Sequence, residues 1–323
     1  MVIIDAHNDT LERRLDRGDT LDLTVDTPHL DTDLARLKAG GVTAQFQQVG
    51  IESLVKGLQL LDAAHTLCAT YPQHFRWIST ISDFEEAHSR GQVGLVGQME
   101  SCSCLGGKLF LLRTMRRLGV TVAGLTHGEA PAHGLQAEPS PTGPCTADER
   151  ETARREGRGL TPLGREAIAE LSRLRMLVDL AHCNDSAFYE ALELSAATPI
   201  FSHGNAFAQC PQWRNLTDDQ IRALAQRGGV MGVACYRRFI DPQRPSVARL
   251  VDHIEHIVGL VGIGHVGLGA DWDGLGEGEV AIPKDPAHLG EITDEMGRRG
   301  FAEGEIAAFL GGNWLRVYGE VVG

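Results

Sequence analysis

The chain has no C-x-x-C pair, no basic cluster and no apolar run long enough to span a membrane. Each absence removes a class of protein. Seven cysteines (Cys68, Cys102, Cys104, Cys145, Cys183, Cys210 and Cys235) are odd in number and dispersed, which fits buried thiols in a reducing compartment rather than a disulfide framework. Cys102-Ser103-Cys104 reads as two small residues in a loop rather than a redox or metal pair. A formal net charge of −13 with no basic patch argues against nucleic acid or an anionic membrane surface as a partner. No glycine-rich phosphate loop is found, and no G-x-G-x-x-G follows the first strand-like run, so a nucleotide-dependent enzyme is disfavoured. Met1-Val2-Ile3-Ile4-Asp5 lacks the basic and long apolar regions of a secretory signal, and Val321-Val322-Gly323 carries no hydrophobic tail. A cytoplasmic location is therefore expected. Lysine is scarce, with only Lys38, Lys56, Lys108 and Lys284.

What is present is an ordinary globular composition: 323 residues, 42% hydrophobic and 23% charged, enough for an ample core. Strand-like runs alternate with helix-like segments at 2–7, 42–49, 93–99, 120–126, 176–181, 199–202, 230–235 and 266–270. Between them, Leu34 and Leu37 precede Gly40-Gly41, a helix end. Thr161 and Pro162 read as N-cap and first helical residue of a helix running through Ile168, Leu171 and Leu174. Thr217-Asp218-Asp219-Gln220 reads as a capping box, and Gly228-Gly229 closes that helix. Eight strands each followed by a helix predict a single-domain (β/α)₈ TIM barrel over residues 1–323, with a doubly wound open sheet as the alternative. One interval breaks the rhythm. Residues 128–159 hold Pro131, Pro139, Pro141 and Pro144, then a charged run from Asp148 to Arg158. They are expected to form a long inserted loop after the fourth strand, a lid or insertion.

Barrel enzymes carry their chemistry at the C-terminal ends of the strands. Those ends hold His7 with Asp9, Glu100, His127, His182, His203, Tyr236 and Asp271. His7-x-Asp9, directly after Ile3-Ile4-Asp5-Ala6, is the most informative single pattern, and its repetition in kind at other strand ends carries the argument. Imidazoles and carboxylates together suit a metal site with nitrogen and oxygen ligands, zinc first, manganese or cobalt next. Glu100 is the strand-end glutamate available to bridge two ions. A bridged pair about 3.5–4 Å apart lowers the pKa of a shared water and polarises a carbonyl. Any one of these histidines alone would more often be structural. His253 and His256, three apart on an apparent helix, are read as packing residues, and His265 sits at the wrong end of its strand.

The chain resembles the membrane (renal-type) dipeptidase family, peptidase family M19 of the amidohydrolase superfamily. The residues carrying the resemblance are His7-Asn8-Asp9, Glu100, Leu125-Thr126-His127, Leu160-Thr161-Pro162-Leu163-Gly164 and Val178-Asp179-Leu180-Ala181-His182. Phe201-Ser202-His203, Arg214-Asn215, Gly269-Ala270-Asp271-Trp272-Asp273-Gly274 and Gly312-Asn313-Trp314-Leu315-Arg316 complete the series, which runs from residue 3 to about 317. The resemblance implies a binuclear zinc dipeptidase in which a hydroxide shared by two Zn²⁺ ions attacks the peptide bond of a dipeptide. It makes His7, Asp9 and Glu100 ligands of one ion, and His182, His203 and Glu100 ligands of the other. Asp271 becomes the acid/base, with His127 and Arg214 contacting substrate. Tyr236, at its strand end, is expected to line the pocket. Three features depart from the family's pattern: Gln98-Met99 before Glu100 and Ser101 after it, Gly128-Glu129 after His127, and the length of the 128–159 insertion. None removes a ligand.

Other readings stay open. Asp271 could cap a turn with Asp273-Gly274, His127 could anchor the insertion, and Arg214 could pair with an acid such as Asp218. An amidohydrolase with an H-x-H motif and a carbamylated lysine is disfavoured, because no lysine ends a strand. An N-acyl-D-amino-acid, lactam or ester hydrolase shares the same water chemistry. A metal-free binding protein on the same fold is the alternative from another class. The expected partner is a dipeptide, with no nucleic acid and no membrane; a homodimer is left open.

Overall fold

The computed structural model describes residues 1–128, 137–276 and 278–323. Its strands are β1 (Ile4–Asn8), β2 (Ala44–Gln48), β3 (Phe75–Ile78), β4 (Val93–Met99), β5 (Val120–Gly124), β6 (Leu177–Asp179), β7 (Phe201–Gly204), β8 (Met231–Val233) and β9 (Val266–Leu268). Eight of them match the runs read from sequence. β1, β2, β4, β5 and β6 pair side by side in parallel, and β7, β8 and β9 form a second parallel arc. Two seams join the arcs into a ring. At one, Leu180 donates its N–H to Ile200 O and Ile200 donates to Val178 O, both at 2.9 Å. At the other, Asp271 donates to His7 O and Asp9 donates to Trp272 O, both at 3.2 Å. The fold is a (β/α)₈ barrel.

β3 corrects the expected count. It adds a ninth strand among the described residues, pairing in parallel with Val93–Val96, the first half of β4, outside the ring. A strand in that position needs little length, and Arg76 and Trp77 are only partly buried. It therefore lacks the continuous apolar run by which a two-faced buried strand is recognised.

Helices alternate with the strands. Pro162–Arg173 starts where Thr161 accepts the N–H of Gly164, and Asp218–Gln226 starts at the Thr217–Gln220 capping box. Leu34–Ala39 ends at Gly40, with Gly41 at φ +69°. Helix Asn313–Val321 packs Trp314, Val317 and Tyr318 against Ile4, Phe46, Val96 and Val122. His253 is a packing residue. Its Nδ1 accepts from Ala206 N–H at 3.1 Å, its Nε2 donates to Ile240 O at 3.0 Å, and burial pushes it down to about 4. His256 meets Asp218 at 2.8 Å. Cys102-Ser103-Cys104 forms one buried 3₁₀ turn, Cys102–Leu105, rather than a loop.

The described part of the insertion, 137–159, is less loop-like than its composition suggests. Its charged run is a helix, Ala147–Glu156, closed at its start by a reciprocal cap in which Thr146 and Glu149 bond each other's backbone N–H. Ser, Thr and acidic residues are read as loop by composition, yet the same residues in this order stabilise a helix N-terminus. The lid expected over 128–159 falls partly on 129–136, outside the described residues. No described helix is long and apolar enough to cross a membrane.

Candidate metal centre and substrate cavity

The site lies where both seams of the barrel reach their C-terminal ends. His7 lies near the end of β1, which leads to Asp9, and β4 leads to Glu100. His182 follows β6, His203 lies in β7 and Asp271 follows β9. His182 and Asp271 both adopt left-handed backbone, φ +66° and +64°. That conformation is costly for residues with a Cβ and is held only where surroundings enforce it. Here it turns both side chains inward immediately after their strands.

The polar atoms converge on one carboxylate oxygen. Glu100 Oε1 stands 2.9 Å from His182 Nε2, 3.4 Å from His7 Nε2, 3.7 Å from His127 Nε2 and 3.8 Å from His203 Nε2. His7 Nε2 also lies 3.2 Å from Asp9 Oδ2 and 3.8 Å from Asp271 Oδ1. His182 Nε2 and His203 Nε2 are 2.9 Å apart. Three overlapping triads result: His7–Asp9–Glu100, Glu100–His182–His203 and His7–His203–Asp271.

These residues fit a divalent cation. Ligand atoms about 2.0–2.2 Å from a tetrahedral zinc stand roughly 3.3–3.6 Å apart, inside the range of separations just given. His7 Nε2 is buried with no hydrogen-bond partner, an expensive condition unless something else occupies its lone pair. The electrostatics agree. Burial pushes the His182 and His203 imidazoles well below the usual histidine range, with Arg214 adding to the effect, so they stay neutral, the form that binds metal. Burial opposes charge on Glu100, but His127, His7 and the His182 hydrogen bond outweigh it and hold the carboxyl well below its usual range. Burial likewise opposes charge on His7, but Asp9 and Glu100 raise it well above normal. Asp271 goes the other way: burial, with Asp9 and Glu100 adding to it and His7 opposing, pushes it up to about 8.

A cavity of about 580 Å³ opens over these groups. Arg214 and Tyr236 line it beside Arg238 and Phe239, and Ser140, Thr142 and Gly143 of the insertion form part of its wall. Arg214 is buried, and its guanidinium donates to His203 Nε2 at 2.8 Å. It does not pair with Asp218, which meets His256 and Arg222 instead. Asn215, next in sequence, pins this segment by donating to Cys210 O at 2.8 Å and Phe239 O at 2.9 Å. All nine residues singled out from sequence (His7, Asp9, Glu100, His127, His182, His203, Arg214, Tyr236 and Asp271) thus lie in this cluster or line its cavity.

Sequence reading missed the layer beneath. Gln98 Oε1 faces His7 Nδ1 at 3.1 Å, and Ser202 Oγ faces His203 Nδ1 at 2.9 Å. Asp273 accepts from Thr10 Oγ1 at 2.6 Å and from the backbone of Asp31 at 2.7 Å, tying the mouth together. Gly274 leaves space that the Asp9 and Asp271 carboxylates occupy, where a Cβ would crowd their oxygens. Gln98 had one available signal: an amide inside the apolar run Val93–Met99, two residues before Glu100 and so on the same side of an extended chain.

A closed parallel barrel that gathers imidazoles around one carboxylate at its strand ends defines a metal-dependent hydrolase. The chain belongs to the membrane dipeptidase family, peptidase family M19, whose family model matches residues 1–322, and it is accordingly a metallo-dipeptidase. It is 29% identical over 307 residues to dipeptidase aclJ of Aspergillus oryzae, covering 90% of this chain and 69% of that one. With an uncharacterized dipeptidase of Schizosaccharomyces pombe the identity is 28%, covering 98% and 80%. Among solved structures, a metallopeptidase from Rhodobacter sphaeroides, liganded with a phosphinate mimic of the dipeptide L-Ala-D-Ala, has the same fold. Its TM-score is 0.89 at 23% identity, covering 99% of each chain.

Proposed function

We propose that this metallo-dipeptidase is binuclear, with zinc the preferred ion and manganese or cobalt able to replace it. His7, Asp9 and Glu100 hold one ion, and His182, His203 and Glu100 hold the other. The observation that carries this reading is the position of Glu100 Oε1, within 3.8 Å of three of the proposed ligand imidazoles drawn from both halves of the barrel. Bound divalent ions supply an activated water and polarise the scissile carbonyl.

The chain's own residues do the rest. Asp271, 3.8 Å from His7 Nε2, collects the proton of the attacking water and delivers it to the leaving amine. His127 is a partly exposed residue of the cavity lining and meets the carbonyl oxygen where negative charge develops. Arg214 binds the substrate's C-terminal carboxylate, with Tyr236 beside it. In the structure Arg214 donates to the same His203 nitrogen that serves as a ligand. A cation held by that lone pair would leave the guanidinium edge to a carboxylate, which it can hold with two parallel bonds.

Carboxylate recognition is tested with free and C-terminally amidated dipeptides. Wild type is expected to cleave the free form and to be poor on the amide, and Arg214→Ala to lose free-dipeptide hydrolysis while remaining poor on the amide. Equal cleavage of both forms by wild type would return the protein to an unspecified amide or ester hydrolase. All seven cysteines are free, which supports a reducing compartment such as the cytoplasm.

The described part of the insertion, 137–159, acts as a wall that limits substrate length. Arg150 of helix Ala147–Glu156 is buried, donates to both oxygens of Asp185 at 2.8 Å, and reaches the backbone carbonyls of Gln212 and Asn215 on either side of Arg214. Breaking a buried ion pair by removing one partner costs about 3–5 kcal/mol. Arg150→Leu is therefore expected to lower stability in denaturant unfolding by that order. The KM for free dipeptides should rise while the bound metal stays unchanged. An unaltered KM in a folded variant would detach the insertion from substrate binding.

A further inference from the structure

We propose that Gln98 and Asp179 act as one positioning device that sets the tautomer of His7 and registers the two segments carrying His182 and His203. This rests on the metal-centre reading above and adds two residues that touch neither substrate nor cation.

The hydrogen bonds fix the direction of every group. Asp179 is 1% exposed. Its Oδ1 accepts from the backbone N–H of Ala181 at 3.0 Å and of Ser202 at 2.9 Å. Its Oδ2 lies 2.8 Å from the Gln98 carboxamide nitrogen. A carboxylate surrounded in this way only accepts, so Gln98 must turn its NH₂ toward Asp179. Its Oε1 is then the atom facing His7 Nδ1. An acceptor there requires a proton on Nδ1, which makes Nε2, between Asp9 and Glu100, the nitrogen that would offer its lone pair to a cation, as a ligand needs.

The same carboxylate repairs a seam. Between β6 and β7, Ser202 N–H is bonded by the Asp179 side chain, and Ser202 precedes His203. Ala181, the other backbone donor, precedes His182. Asp179 thus grips the residue before each histidine of the second triad, while Gln98 connects it to the histidine of the first. Asp5 plays a matching part at the other seam, accepting from Ala270 N–H at 2.7 Å just before Asp271.

The polarity of this chain gives a test that a merely space-filling role would not pass. Outer-layer partners of metal ligands typically contribute about 10–100-fold to metal affinity. Zinc affinity is measured on metal-stripped protein by chelator competition, with the melting temperature and circular dichroism of each metal-free variant as controls for folding. Gln98→Leu should bind zinc about 10–100-fold more weakly. Asp179→Asn should do the same: its amide meets the Gln98 amide, Gln98 reverses, and His7 is driven to the tautomer with Nε2 protonated. The double variant Gln98→Glu with Asp179→Asn reverses donor and acceptor between the two positions and again leaves an oxygen facing His7 Nδ1. It should recover most of the lost affinity. Wild-type affinity in folded Gln98→Leu, or a double variant no better than its weaker parent, overturns the proposal. Because affinity is read without substrate, a protein that binds zinc as expected but leaves dipeptides intact would count against the proposed activity and not against this device.

Discussion

Asp271→Asn is expected to keep its metal and its fold and to lose about 10²–10⁴-fold in kcat, the usual contribution of a general acid–base group. The substitution changes almost nothing but the proton. Asn is isosteric with Asp and tolerates left-handed backbone, so φ +64° at this position is preserved. The backbone N–H still reaches His7 O across the seam, and Gly274 still leaves room for the side chain. What disappears is a carboxyl that burial pushes up to about 8, a group able to hold and return a proton near neutrality. The check is kcat on a free dipeptide beside metal content and melting temperature. Near-wild-type turnover in a metal-loaded variant would assign Asp271 to the turn it makes with Asp273 and Gly274.

Glu100→Ala should empty the whole centre. Glu100 Oε1 is the atom shared by His7 on one side and by His182 and His203 on the other, so its loss removes a ligand from both triads at once. It also removes the negative charge that offsets the cations there, leaving positive charges to repel across a buried space. Elemental analysis is expected to give about two divalent ions per wild-type chain and to fall toward none in Glu100→Ala, with dipeptidase activity at background. His203→Ala, which deletes one ligand of one triad, should retain more metal. A fully active wild type carrying a single ion, or a Glu100→Ala protein that loses no more metal than His203→Ala, rules out sharing by Glu100.

The fold was readable wherever burial imposes a repeated pattern. Parallel strands covered on both faces are apolar along most of their length, and the runs at Val93–Met99 and Val120–Gly124 are of that kind but for Gln98 and Thr121. β3 escaped because it pairs along only four residues outside the ring. The helix at Ala147–Glu156 escaped because its mean composition is charged, and what makes it a helix is the order of Thr146 and Glu149. The site was readable for a different reason. A barrel places chemistry where strands end, so polar residues that terminate apolar runs can be collected without knowing the distances between them.

By itself the sequence determined the alternation of strand and helix, and with it the barrel and the set of side chains at its mouth. These follow from local rules of burial, capping and chain direction that act within a few residues. Only the tertiary structure decided which oxygen is shared. That Glu100 Oε1 meets His182 at 2.9 Å and His7 at 3.4 Å depends on how two arcs close at two seams far apart in the chain. The orientation of Gln98 was likewise settled by Asp179, 81 residues away. Hydrogen-bond direction and ligand spacing are properties of three-dimensional neighbours, and a one-dimensional pattern cannot carry them.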